Sequence, residues 1–589
     1  MQITILVERR DSVIKFATIL VLAAAFVNLP LVSDVYQPAR AILVSIAVAL
    51  AALATSCHTR DEPVGRVALP AVLLFALALA SAFVNGPASA LWGVHGRFQG
   101  LLTLALMLVV GVVGAMSFRG SMRFVAKAAA VAVVLQAIVI GYQVLGGYTP
   151  DGTMGNRVLT GSWLAVLVSL CAAAAFVERG PWRNWLIVAA ASGAVAMGVV
   201  SSRGAWFGLI VAVVVLVAVV RPSVRRAAPV VALVLLLGLG AVASDTEALS
   251  KLNPASLASG SAASRLQIWR GTAAMVADNP VLGVGPGRYL YEFPMYQPTA
   301  HAIAEVADVR PDQAHSQFLQ VIAESGIPAG LMSLLLISMV GSMGYRSARG
   351  RDAASLMALV GFAAFVGQGV FGIATVETSA LGWLFGGVLV GRSLIARGDT
   401  DSNSERDSAE PGVSRLALFS AITAAAVALS AGWYLVADAS YATGLDRFQR
   451  ADFSGAVAAH EEATRMNPYT DVYRVAQADA AAYLGGDAAG VAFDSLLEGL
   501  LLEPGSYDLE LAQATLVSYT ADPSVVAEEY LEAVARYPLG LQVRLKTMVA
   551  LAQADRSDEA RAMAREVLKL YPDEPIAFDV LEGAADAGP

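Results

Sequence analysis

Residues 101–118 read LLTLALMLVVGVVGAMSF, eighteen positions without a charged side chain. A helix of about 20 mostly apolar residues crosses the hydrocarbon core of a bilayer, so this run predicts a membrane span. Outward from it, comparable runs lie near 13–31, 41–57, 67–84, 124–145, 158–177, 184–200, 205–220, 227–243, 327–343, 354–375 and 380–396. One more, 416–436, follows a polar stretch, which makes about 12–13 predicted spans. The composition agrees. Of 589 residues, 57% are hydrophobic and 15% charged, against about 25% charged in soluble domains, and the mean hydropathy is +0.61. These values exclude a cytosolic enzyme, a nucleic-acid binder and a disordered scaffold. Cys57 and Cys171 both sit in apolar runs, which excludes a disulfide framework and a cysteine metal site. The run at 13–31 is too long for a signal peptide and lacks a small-residue cleavage site, so it is expected to remain as a span.

Orientation follows from the Lys and Arg content of short loops. With the N-terminus inside, Arg9/Arg10, Arg60/Arg66, Arg119/Arg123, Arg179/Arg183, Arg221/Arg225/Arg226, Arg346/Arg349/Arg351 and Arg392/Arg397 all become cytoplasmic. The short outer loops then hold Arg40, Arg97, Arg157 and Arg203. The large loop 244–314 and everything after the last span face outside. Residues 1–396 are thus expected as a polytopic membrane domain and 397–413 (RGDTDSNSERDSAEPGV) as a flexible cytoplasmic linker. Residues 414–436 form the final transmembrane helix, and 437–589 an extracytoplasmic tail. That tail carries 26 Asp/Glu against 11 Lys/Arg, leaving 22 and 29 in residues 1–436. So acidic a tail is not expected to cling to anionic lipid or nucleic acid.

Within the tail, prolines recur at Pro468, Pro504, Pro538 and Pro572, spaced 36, 34 and 34. That is the period of tetratricopeptide repeats, helix–turn–helix units that stack into a solenoid. Small residues at Gly444, Ala456 and Ala463, with equivalents in the later units, fall where paired helices must approach closely. The fold class expected is all-α: a polytopic helical membrane body plus a helical-repeat tail. The tail reads either as a spacer or as a docking surface for a protein or glycan.

The chemistry gathers in PDQAHSQFLQVIAESGIPAG (311–330), where His315, Ser316, Phe318, Leu319, Glu324 and Gly326 form a His-Ser-x-Phe-Leu…Glu-x-Gly pattern at the mouth of a span. Upstream lie SRLQIWRGTAAMVADNPVLGVGPGRY (264–289), SSRGAW (201–206), ALWGVHGRFQGLLTL (90–104) and TMGNRVLTGSWLA (153–165). From about Leu91 to Gly330 the chain resembles the O-antigen ligase/polymerase family, bacterial membrane glycosyltransferases that act on undecaprenyl-diphosphate-linked glycans at the outer face of the plasma membrane. The resemblance implies a GT-C-like body in the inner membrane, metal-independent and inverting transfer, and no cofactor. It assigns carrier-diphosphate binding to Arg203 and Arg265 and acceptor contact to His315. Apart from the resemblance, Arg97, Arg157 and Arg270 are lesser candidates for substrate contact. Expected partners are the lipid-linked donor, a glycan, lipid or protein acceptor, the bilayer itself, and a protein on the repeat tail; nucleic acid is not expected.

The residues make physical sense of that chemistry. Arg meets phosphate oxygens with a fixed, two-pronged fork, and outward arginines run against the positive-inside trend. Arg203 stands in a short turn between two spans; Arg265 begins an amphipathic helix, with Arg270 rotated to another face. Imidazole titrates near working pH and suits a base that takes the acceptor proton. Glu324, nine residues past His315, points about 180° away if one helix is continuous, so a structural role is expected, with a break at Gly326 and Pro328. GVGPGRY (283–289) reads as a tight turn, not a phosphate loop. His95 is a candidate acceptor contact. Asp278, Asp308 and Asp312 match no compact cation cage, and no metal is expected. A transporter or flippase, or a scaffold for an envelope polysaccharide complex, remains the alternative.

Overall fold

The structure is a computed structural model that describes residues 2–30, 32–33, 37–56, 67–86, 88–118, 120–221, 236, 238–240, 260–304, 309–372, 375–401, 414–519 and 521–582. Among the described residues helix is the only regular secondary structure, and eleven helices are long and apolar enough to cross a membrane. Two expected spans are not among them. The helix Gln2–Ala23 gives way at Ala24–Phe26 to a single 3₁₀ turn, and its first half carries Glu8, Arg9, Arg10 and Asp11, so the unbroken apolar part is too short. The run 227–243 lies outside the described residues apart from 236 and 238–240.

Helix Arg157–Val177 forms the centre of the bundle, with 83% of its span buried. It packs against Met122–Leu145, Pro181–Val200, Arg203–Val220 and Ala353–Phe371. Lipid offers apolar surfaces no reason to leave it for one another, so helix pairs depend on close backbone approach. Gly387 and Gly391 supply it: a Cβ at Gly387 would run into the backbone of Gly111 and Ala115, and one at Gly391 into that of Ala115, on helix Leu101–Val113 and its continuation. Arg40, expected in an outer loop, is instead fully buried and paired with Glu377 at 2.7 Å. The pair ties helix Gln37–Ser56 to helix Val376–Asp401. That second helix runs on to Asp401, past the expected start of the linker at 397; residues 402–413 lie outside the described residues.

Helix Arg415–Gln449 packs along Gln37–Ser56 and continues without interruption through 436 and 437. The final apolar helix is thus continuous with the first helix of the tail. Beyond it come Phe453–Met466, Asp471–Ala482, Gly486–Leu502, Tyr507–Val517, Pro523–Arg536, Leu541–Gln553, Ser557–Leu570 and Pro575–Glu582. The four repeat prolines occupy equivalent turns between successive repeats, and Gly444 allows the buried His460 ring to press against its backbone. This is the antiparallel stacking of a tetratricopeptide-like solenoid.

Candidate functional site

Four segments meet at one end of the bundle. Ser201 turns the chain with a left-handed φ of 53°, and Ser202 takes the N-cap position, so Arg203 opens its helix. A Cβ on Gly204 would stand 3.2 Å from the Phe371 carbonyl oxygen, at the far end of helix Ala353–Phe371. Arg265, on helix Gly260–Asp278, donates to that same carbonyl at 2.9 Å. One turn on, the Trp269 ring stacks on Phe371 with centroids 5.8 Å apart, and its Nε1 donates to the Ala314 carbonyl at 2.9 Å. His315 follows. Phe371 is the hub that brings Arg203, Arg265 and His315 together.

Electrostatics register that proximity. Burial and then the neighbouring charge of Arg203 hold the Arg265 guanidinium below its ordinary value. Burial pushes His315 down to about 4, Arg265 pushes the same way, Asp312 opposes, and Arg97 and His301 add smaller downward pulls. Two guanidinium groups held together beside a neutral imidazole favour an anion, because its charge offsets their mutual repulsion. The first turn of helix Arg203–Val220 adds its dipole with the same sign.

His315 has φ 49°, in the left-handed region that few non-glycine residues enter. Ser316 is the N-cap and Gln317 the first helical residue. His315 therefore lies before the helix, and the expected 180° opposition to Glu324 along a continuous helix does not apply. The helix does break at Gly326, with φ 86° and ψ 168°, two residues before Pro328. The GVGPGRY segment fills the break: Val284 and Gly285 N–H donate to the Ala323 and Glu324 carbonyls at 2.9 and 3.0 Å. Glu324 accepts from Gly287 N–H and Gln320 Nε2, both at 3.0 Å, and Gln320 accepts from Ala314 N–H at 2.7 Å. A hydrogen-bonded chain thus links the glycine turn to the residue before His315.

The weaker candidates divide. Arg97 bonds Asp312 at 2.5 Å, which brings it to the His315 segment. Arg157, half-exposed, faces Asp151 at 3.7 Å, and the exposed Arg270 reaches Gln267 at 3.4 Å. His95 sits in an aromatic junction, 2.7 Å from the Tyr434 hydroxyl and 3.7 Å from Asp438, with Tyr441 and Tyr473 rings against it. Asp278 lies beside Tyr296, and Asp308 lies outside the described residues. Sequence reasoning missed Asp312 as an arginine partner, His301, which contacts Gln297 at 2.9 Å and Ser264 at 3.3 Å, and Gln320. Only the four-residue spacing of Gln320 and Glu324 signalled a helical pair.

Next to this cluster opens an apolar cavity of about 570 Å³, whose lining runs from Gln317 and Gln320 past Phe318, Phe365 and Trp383 to Phe419.

Residues 189–334 match the family model described as O-antigen ligase, a stretch that contains Arg203, Arg265, Arg270 and His315 but neither Arg97 nor Arg157. No curated protein matches the chain. Among solved structures, the chain is similar to one titled "Crystal structure of APC/C hetero-tetramer Cut9-Hcn1", at 13% identity over 87% of this chain and 90% of that one, with a TM-score of 0.19. The chain carries an O-antigen ligase domain at residues 189–334, set in a polytopic helical membrane body with a tetratricopeptide-like tail.

Proposed function

We propose that the chain is a glycosyltransferase that moves a glycan from an undecaprenyl-diphosphate carrier to an acceptor hydroxyl at the extracytoplasmic face of the bacterial plasma membrane, as a ligase or polymerase. The N-terminus lies in the cytoplasm and the repeats outside. Arg203 and Arg265 hold the diphosphate, and the adjoining cavity takes the first part of its isoprenoid chain. His315 accepts the acceptor's proton as that oxygen attacks the anomeric carbon. The bond from this carbon to the diphosphate breaks, and the two arginines receive the leaving charge. Attack opposite the leaving group inverts the anomeric centre, and no step requires a metal.

The observation that carries this reading is the meeting of Arg203, Arg265 and His315 around Phe371, inside the segment that matches the ligase family. Binding of undecaprenyl diphosphate to purified variants tests the assignment. Charged hydrogen bonds contribute enough that Arg203→Gln or Arg265→Gln should weaken binding by about tenfold or more, with Lys substitutions in between. His315→Ala should leave this affinity unchanged. Wild-type affinity in both Gln variants would contradict the diphosphate site.

A further inference from the structure

The segment Val309–Ser316 is held at Val309, Arg310, Asp312 and Ala314. Gln297 Nε2 donates to the Val309 carbonyl at 3.3 Å. Arg97 bonds Asp312, and Trp269 and Gln320 take the carbonyl and amide of Ala314. A non-glycine residue stays in the left-handed region, as His315 does, only where its surroundings over-determine it. One of the restraints comes from the repeat tail. Arg310 Nη2 bonds Asp508 at 2.6 Å, and its guanidinium lies 4.7 Å over the Tyr507 ring.

Tyr507 and Asp508 open a tail helix whose N-cap, Ser506, accepts from Leu509 N–H, so neither is on a loose end. The same turn makes a second contact a few residues earlier. Glu503 pairs with Arg288 at 2.6 Å and the Pro504 carbonyl accepts from Arg288 at 2.8 Å. The turn 503–508 around the second repeat proline thus grips the glycine turn at Arg288 and the His315 segment at Arg310.

We propose that this repeat turn is a working part of the transfer site: Arg310, Tyr507 and Asp508 are positioning residues that hold His315 in its left-handed conformation, so the tail sets the rate of transfer. The inference rests on the reading of His315 as proton acceptor. It replaces both sequence-level views of the tail, as a spacer or as a platform for other molecules, with a brace acting inside the chain.

The test uses full-length protein in nanodiscs for deuterium uptake, and membranes of the native host, which supply donor and acceptor, for transfer. Asp508→Asn and Arg310→Gln should each raise amide exchange across 309–316. Since small misplacements of a catalytic group are costly, each should slow transfer by about tenfold while leaving donor affinity within about twofold. Partners acting through one contact are not additive, so the double variant should lose no more than the worse single. Asp508→Glu should recover most of the rate. Unchanged exchange in Asp508→Asn, or losses that multiply in the double variant, would overturn the brace. Wild-type transfer by His315→Ala would instead sink the reading beneath it, and the two failures are distinguishable because the exchange measurement needs no substrate.

Discussion

His315 is an imidazole kept neutral by its surroundings. Burial and the Arg265 charge hold it near 4, so free enzyme retains the proton-accepting form through mildly acidic pH, where an ordinary histidine near 6.5 is charged. The acid limb of kcat/KM reports free-enzyme groups, and it is predicted to fall near pH 4. Removing the Arg265 cation removes a downward pull, so in Arg265→Gln the limb should move up toward 6.5, whatever the height of the profile. A limb at 6.5 in wild type would argue against this environment. The same sign governs stability: a histidine with a lowered folded value costs nothing above about 6.5 and destabilises as pH falls toward 4. Bound diphosphate, by offsetting Arg265, should draw the limb of kcat above that of kcat/KM.

At the scale of elements, the broken helix Gln317–Arg349 organises the site. Its kink frees two carbonyls that the glycine turn satisfies, and Gly326 makes the approach possible. A Cβ there would collide with the Val281 carbonyl, on a backbone with φ 86°. Gly326→Ala therefore meets strain and a clash together. We expect a melting point several degrees lower, consistent with about 1–3 kcal/mol for strain of this kind, measured in detergent. An unchanged melting point would mean that the turn can withdraw. Helices and most spans were legible in the sequence because apolar runs of that length have few alternatives. The kink was legible too, from Gly326 and Pro328. What periodicity could not give was the position of His315 ahead of the helix, because a left-handed residue followed by an N-cap leaves no mark in hydropathy. The Gln2–Ala23 helix is not among the eleven for the opposite reason: the apolar run covers 13–31, but the helix stops at Ala23 and its first half is charged.

At the scale of the molecule, repeat tail and membrane body form contacts that no local pattern encodes. The prolines revealed the solenoid, yet Arg310 with Asp508, Arg288 with Glu503, and His95 with Asp438 are separated by roughly two to three hundred residues or more. His95, expected as an acceptor contact from its place in an outer loop, lies against Asp438, Tyr441 and Tyr473 of the tail. Arg288 and Glu503 are each 6% exposed. Burial pushes the Glu503 carboxyl up to about 7 against the pull of Arg288. Truncating one partner of a buried pair costs about 3–5 kcal/mol when the other stays charged. Arg288→Ala should therefore destabilise strongly at pH 8 and less at pH 5, where Glu503 can take a proton; thermal melts at the two pH values check the difference, and equal losses would contradict it.

Proton transfer from the acceptor to His315, beside a diphosphate held by Arg203 and Arg265, is the proposed step on which the rest depends. Single-turnover transfer of labelled glycan, with donor saturating, addresses it most directly. General-base catalysis typically supplies about 10²–10⁴-fold, so His315→Ala should slow the transfer by that order while donor affinity holds. Transfer at the wild-type rate by His315→Ala would contradict the account.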